Sequence, residues 1–252
     1  MAQYKAKRGG SSGRNKAGPG GRAEAVRVRS ARGRKLSSTR WLQRQLNDPF
    51  VQAAKEQGLR GRAAFKLTGL DDRFALLKPG MKVVDLGAAP GGWSQIASAR
   101  CKAQTNPDTR IVAIDIQDIE PVPGVQFVHG DVTDPVAMDK VKALLGGKAD
   151  LVMSDMAAAS TGHHATDHLR IMALIETSLD FADEVLEIGG TFVAKILQGG
   201  AQAGVQQRLK SGFESVKLAK PEASRADSTE AFLVAKGYRG SPITQTYSMA
   251  ET

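Results

Sequence analysis

A chain of 252 residues, 41% of them hydrophobic, with a formal net charge of +9 can hold one α/β domain with a full core plus a tail. The single cysteine, Cys101, excludes an internal disulfide framework and fits a reducing compartment. No apolar run approaches a membrane span and the basic start lacks the apolar stretch of a signal peptide, so a soluble, cytoplasmic protein without a membrane partner is expected.

The charge is unevenly placed. Residues 1–35 hold eleven Lys and Arg against one acid, Glu24, a net of +10, whereas the remaining residues hold 24 bases and 25 acids. This arm is rich in Gly and Ser and nearly empty of large apolar groups, so it is expected to be disordered. A basic arm interrupted by glycines binds phosphates, and an RNA-contacting role that adds affinity but little specificity is the reading favoured over a solubilising extension. A globular domain is expected over residues 36–240, with residues 241–252 as a C-terminal tail.

Within the domain, Trp41, Leu42, Leu46, Phe50, Val51 and Ala54 recur at helical spacing up to Gly58. A second helix carries Ala63, Phe65, Leu67, Leu70, Phe74 and Leu77 and ends at Pro79-Gly80. The stretch Val83-Val84-Asp85-Leu86-Gly87-Ala88-Ala89-Pro90-Gly91-Gly92-Trp93-Ser94 then reads as strand, tight turn and helix, the first crossover of an open α/β sheet. Ligands of such sheets bind beyond the carboxyl ends of the strands, and small residues let them approach the backbone. The same glycines would also suit a purely structural turn. A dinucleotide is disfavoured, because Ala89 stands where the fingerprint needs Gly and Pro90 offers no N–H to a pyrophosphate. An adenosine ligand without phosphates fits better.

Three further strands each deliver an acid to the same edge. Ile111–Ile114 leads to Asp115, which can accept ribose hydroxyls; Val125–Val128 leads to Gly130-Asp131, which can accept from an adenine amino group; Leu151–Ser154 leads to Asp155. Residues 157–168 form a small polar loop holding His163, His164 and His168, whose spacing gives little support for a metal site. A long helix is expected from Asp167 to Glu187, ended by Gly189-Gly190, and then a buried strand, Thr191–Leu197, with Lys195 in its middle. A buried lysine there must reach a cleft or an acid. A helix over 203–209 and strands at 215–218 and 231–234 complete the pattern, with a polar loop from Lys220 to Glu230. The late hairpin is the addition that separates methyltransferase sheets from dehydrogenase sheets.

On these residues the chain, over about 38–237, closely resembles the FtsJ/RrmJ family of ribose 2'-O-methyltransferases, called RlmE in bacteria. The resemblance rests on Ser38–Leu42, Arg62–Leu67, Val84–Gln95, Ser154-Asp155-Met156-Ala157, Val193-Ala194-Lys195 with Gln198-Gly199, and Lys220-Pro221 through Ser224-Arg225 to Glu230. It implies a Rossmann-like class I methyltransferase fold, α/β, with a seven-stranded mostly parallel sheet and helices on both faces. It also implies a Lys66, Asp155, Lys195, Glu230 catalytic tetrad. S-adenosyl-L-methionine would be held by Gly91, Trp93, Asp115, Asp131 and Asp155, with no metal. The chemistry agrees, since a ribose hydroxyl attacking a sulfonium methyl must lose its proton. A lysine can take that proton only if its pKa falls well below ~10.4, which desolvation and a neighbouring ammonium can bring about. Lys195 is assigned as base, Lys66 as the second positive charge orienting the substrate oxygen, and Asp155 and Glu230 as their holders.

The resemblance further implies, as substrate, a uridine in the A-loop of large-subunit (23S) ribosomal RNA, methylated on the subunit late in assembly; a monomer without an obligate protein partner is the default expectation. A tRNA 2'-O-methyltransferase, an RNA-binding ribosome-assembly factor and a nicotinamide dehydrogenase are the alternatives. The chain departs from the family in having Ala158-Ala159 where Pro and Asn are usual, in an extended Arg100–Thr109 segment, and in its long basic arm.

Overall fold

The computed structural model describes residues 42–158, 162–198 and 202–240, with two units divided between Asp48 and Pro49. The predicted arm over 1–35, the tail over 241–252 and the motif over 38–41 lie outside the described residues, as do 159–161 of the polar loop. In the first unit residues 42–46 are helical, and the Asn47 side chain donates to the Gln43 carbonyl at 2.7 Å. The helix expected to run from Trp41 past Ala54 is interrupted. Pro49 biases Asp48 away from the helical region, and a new helix starts at Pro49, where its missing N–H costs nothing.

The second unit contains α1 (Pro49–Glu56), α2 (Ala63–Phe74), β1 (Lys82–Leu86), α3 (Gly92–Cys101), β2 (Arg110–Asp115), β3 (Gln126–His129) and α4 (Pro135–Leu145). It continues with β4 (Ala149–Ser154), α5 (His164–Val185), β5 (Leu186–Leu197), α6 (Gln202–Gly212), β6 (Phe213–Ala219) and β7 (Glu230–Tyr238). The strands form one seven-stranded sheet in the order β3-β2-β1-β4-β5-β7-β6, in which β7 runs antiparallel to both neighbours and the other pairings are parallel. This is the expected sheet, and its strand order reverses direction between β1 and β4, where open α/β sheets bind their ligands. No helix among the described residues is long and apolar enough to cross a membrane.

Alternation along the strands sorts side chains onto two faces. Val84, Leu86, Val112, Ile114, Val152, Phe192, Ala194 and Ile196 pack with α4, α5 and α6, whereas Val83, Ile111, Leu151, Met153, Val193, Phe232 and Val234 pack with α2 and α3. By the same alternation Asp85, Asp155, Lys195 and Glu230 fall on the α2/α3 face. Cys101, fully buried in α3, has its thiol pushed up to about 11 by burial, so it is no nucleophile near neutral pH.

Several boundaries differ from the sequence pattern: α2 ends at Phe74, short of Leu77 and Pro79-Gly80, with Ala75 in the left-handed region, and α5 begins at His164, inside the expected polar loop. Gly189-Gly190 does not end the long helix; α5 stops at Val185, and the glycines sit inside β5, where its pairing with β4 shifts register between Ala149 and Leu151 and Gly189 takes φ +85°. Helix α4 was not anticipated, although its signals are in the sequence. Asp134 caps it by accepting from the Val136 N–H at 3.0 Å, Pro135 opens it, and Gly146 closes it in the left-handed region.

Candidate active site

Four elements bring the two lysines and two acids together. Lys66 comes from α2, Asp155 follows β4, Lys195 lies in β5 and Glu230 opens β7. The antiparallel register sets Lys195 opposite Phe232 and Leu197 opposite Glu230, and the parallel one sets Ala194 beside Ser154, so that Lys195 and Asp155 become neighbours. Lys66 Nζ lies 2.8 Å from Glu230 Oε2 and 3.7 Å from Asp155 Oδ2. Lys195 Nζ is 3.0 Å from Asp155 Oδ1 and donates to the backbone carbonyl of Asp155 at 2.6 Å. Asp155 thus stands between the two lysine Nζ atoms. The four side chains are 9–15% exposed, deep in the cleft yet open to it.

Burial alone would raise the Glu230 carboxyl. The charge and hydrogen bond of Lys66, with Lys195 and Ser224 adding to them, outweigh burial and hold it below the ordinary carboxylate range. Ser224, itself buried, donates to Glu230 Oε1 at 2.9 Å and leaves Oε2 for Lys66. Its loop is braced in turn, because Lys220 Nζ donates to the carbonyls of Ala226 and Ser228. Ser224→Ala should lower kcat about tenfold without changing affinity for the methyl donor, and Ser224→Thr should recover most of the loss. Steady-state kinetics alongside calorimetric donor binding checks this; an unchanged kcat in the alanine variant would remove Ser224 from the site.

Beside the tetrad lies a cavity of about 290 Å3, lined by Gly87, Ala89, Asp115, Ile116, Gln117, Gly130, Asp131, Val132, Asp155, Met156, Ala157 and Leu174. The three acids anticipated at strand ends all line it. Asp115 accepts the Ala89 N–H at Oδ2 and the Gln117 N–H at Oδ1, both at 2.8 Å, so it also braces the turn after β1. Asp131 accepts the N–H and hydroxyl of Thr133 at Oδ1 alone. Gly87 is required by its φ of +76° and by its neighbour, since an added Cβ would stand 2.3 Å from Met156 Cγ.

Gly91 and Trp93 are placed outside that lining. Gly91 precedes α3 with φ +102° and lies against Arg60; Trp93 is buried, donating its indole N–H to the Ala63 carbonyl at 2.8 Å with its ring against Phe232. His163 sits at the start of α5, and among the described residues no cluster of three His, Cys, Asp or Glu side chains could hold a metal. Two residues beside the site, Asp85 and Leu174, had escaped sequence reasoning, whereas Met156 had been expected at the same edge as Asp155. Asp85 is fully buried, accepting the Ser94 hydroxyl at 2.6 Å; Met156 covers Gly87; Leu174 closes the cavity from α5. Asp85 and Met156 stood inside the quoted motifs, and Leu174 followed from the helical pattern.

Comparison with known proteins bears on what this arrangement does. The chain is 56% identical over 233 residues to the ribosomal RNA large subunit methyltransferase E of Ruegeria sp. (strain TM1040), covering 91% of this chain and 98% of the relative. It is 52% identical over 240 residues to the protein of the same name from Parvibaculum lavamentivorans, covering 93% and 94%. The crystal structure of a ribosomal RNA methyltransferase from Plasmodium falciparum superposes with a TM-score of 0.63 at 28% identity, covering 72% of this chain and all of the other. A family model, FtsJ-like methyltransferase, matches residues 59–238, the stretch that carries both tetrad and cavity. The chain belongs to the FtsJ-like methyltransferase family.

Proposed function

We propose that this enzyme methylates a ribose 2'-oxygen of large-subunit ribosomal RNA, with the A-loop uridine as target on the assembling subunit. The observation that carries the reaction is the pair of lysines ordered about Asp155 beside a cavity walled by carboxylates. The relatives named for large-subunit ribosomal RNA support the substrate. The methyl donor is S-adenosyl-L-methionine, and the cavity suits it: Asp115 and Asp131 offer acceptors to ribose hydroxyls and an amino group, and the carboxylate walls favour a cation. When bound it supplies an electrophilic methyl on a positively charged sulfur.

The chain's own residues would handle the proton and the oxygen. Lys195 Nζ, once it has given up its own proton, would accept the 2'-hydroxyl proton as the oxygen takes the donor's methyl and the donor leaves as a neutral thioether. The products are an O-methyl ribose, an ammonium on Lys195 and the neutral thioether, so charge balances. Lys66, held by Glu230, orients the nucleophilic oxygen; Asp155 keeps both Nζ atoms in place.

Methyl-labelled donor, offered with large subunits, free ribosomal RNA and tRNA, tests this by mapping label to nucleotide and atom. Label on a 2'-oxygen of large-subunit RNA is expected. Label only on tRNA would overturn the substrate, and no label on any of them would favour an assembly role. We also propose that residues 1–35 contact RNA. Deleting them should weaken RNA binding and reduce the salt slope by roughly 0.7–0.9 for each phosphate the arm had neutralised, with donor affinity unchanged. An unaltered slope in salt-titrated binding would remove the arm from RNA recognition.

A further inference from the structure

Arg60, in the connection between α1 and α2, is held by backbone carbonyls. Nη1 donates to Pro90 O at 3.2 Å and Glu120 O at 2.5 Å, and Nη2 donates to Pro121 O at 2.8 Å. The root of the side chain is fixed as well, because the Arg60 N–H donates to Gln95 Oε1 of α3 at 2.8 Å. A Cβ on Gly91 would approach Nη1 to 2.7 Å, so the guanidinium occupies the space left open by that glycine.

The carbonyls belong to two loops that wall the cavity from different sides. The turn after β1 contributes Gly87 and Ala89; the segment after β2 contributes Ile116 and Gln117 before reaching Glu120 and Pro121. Residues 116–123 contain neither helix nor strand to hold them. Within the cavity Asp115 ties the two walls through the Ala89 N–H, and Arg60, outside the lining, ties them again.

We propose that Arg60 is a positioning residue for the methyl donor, holding the turn after β1 and the loop after β2 at the separation the nucleoside requires. The inference rests on the reading of the cavity as the donor site. Two loops ordered before binding leave less conformational entropy to be lost on binding. The forked guanidinium suits the task, whereas one ammonium on a thinner stem cannot bridge three carbonyls in these directions.

Calorimetric donor binding and steady-state kinetics on wild type, Arg60→Ala and Arg60→Lys test the proposal. Both variants should raise Kd and KM for S-adenosylmethionine about tenfold, leave kcat at saturating donor within about twofold, and leave KM for RNA unchanged. Amide exchange should accelerate in residues 116–123 of both variants and be slowed again by donor, a readout that does not depend on turnover. Full recovery by Arg60→Lys, or a raised KM for RNA with unchanged donor affinity, would make Arg60 an RNA contact and overturn the proposal. Unchanged donor affinity and unchanged exchange would overturn it equally. A wild-type protein that binds no S-adenosylmethionine would instead refute the cavity reading on which the proposal stands.

Discussion

Lys195→Ala is expected to slow methyl transfer by about a thousandfold or more while changing affinity for S-adenosylmethionine by no more than about twofold. Lys195 Nζ is directed at the backbone carbonyl and carboxylate of Asp155, not at the cavity acids Asp115 and Asp131. Its removal should therefore strike proton transfer and, of the three acids lining the donor cavity, disturb only Asp155. The loss should leave the fold intact, because Lys66 remains 3.7 Å from Asp155 and still offsets its charge. Lys195→Arg should fail as badly as alanine, since a guanidinium keeps its proton at any working pH. Single-turnover transfer from labelled donor is the measurement; an alanine variant retaining a tenth or more of wild-type activity, about 1.4 kcal/mol of transition-state stabilisation, would exclude Lys195 as the base.

The second large effect concerns stability and its dependence on pH. Asp85 is fully buried; burial, reinforced by the nearby charges of Asp155 and Asp115 and opposed by the Ser94 hydroxyl, pushes its carboxyl up from 3.8 to about 7. The folded protein therefore holds a proton on Asp85 between about pH 4 and 7 that the unfolded chain has released. The resulting stability is complete below the unfolded value and is lost as pH rises through the folded one. A shift of this size corresponds to roughly 4 kcal/mol between those limits. Asp85→Asn keeps an acceptor for Ser94 and cannot ionise, so it should flatten the curve and be the more stable protein at pH 8. Denaturant unfolding at pH 5, 6, 7 and 8 reads the slope directly. Parallel slopes for the two proteins would mean that Asp85 does not carry this pH dependence.

The readable part of the site was the part written by strand periodicity. Lys195 stood in an apolar run where a lysine is costly, and Asp115, Asp131 and Asp155 each followed a β-branched or apolar stretch, so sequence position alone sent them to one edge. Ser224 and Arg60 carried no such mark. Ser224 acts on a carboxylate that another loop residue could equally have met, and Arg60 finds its partners in the carbonyls of Pro90, Glu120 and Pro121, which any residue type would supply. The break before Pro49 and helix α4 had local signals in Pro49, Asp134-Pro135 and Gly146, and apolar periodicity overrode or missed them. The glycine pair inside β5 had no local signature separating a helix stop from a strand irregularity, because both use a positive φ.

The position of β7 also bears on when during synthesis the enzyme can first work. Among the described strands β7 is the last in the chain, yet it is threaded between β5 and β6, and it begins with Glu230. A nascent chain that has emerged only through β6 has the edge of β5 unpaired and lacks both the partner of Lys66 and the strand that backs Lys195. Translation must carry β7 clear of the exit tunnel before the sheet can close, so a chain released after β6 is expected to lack both the ordered lysine pair and methyl transfer.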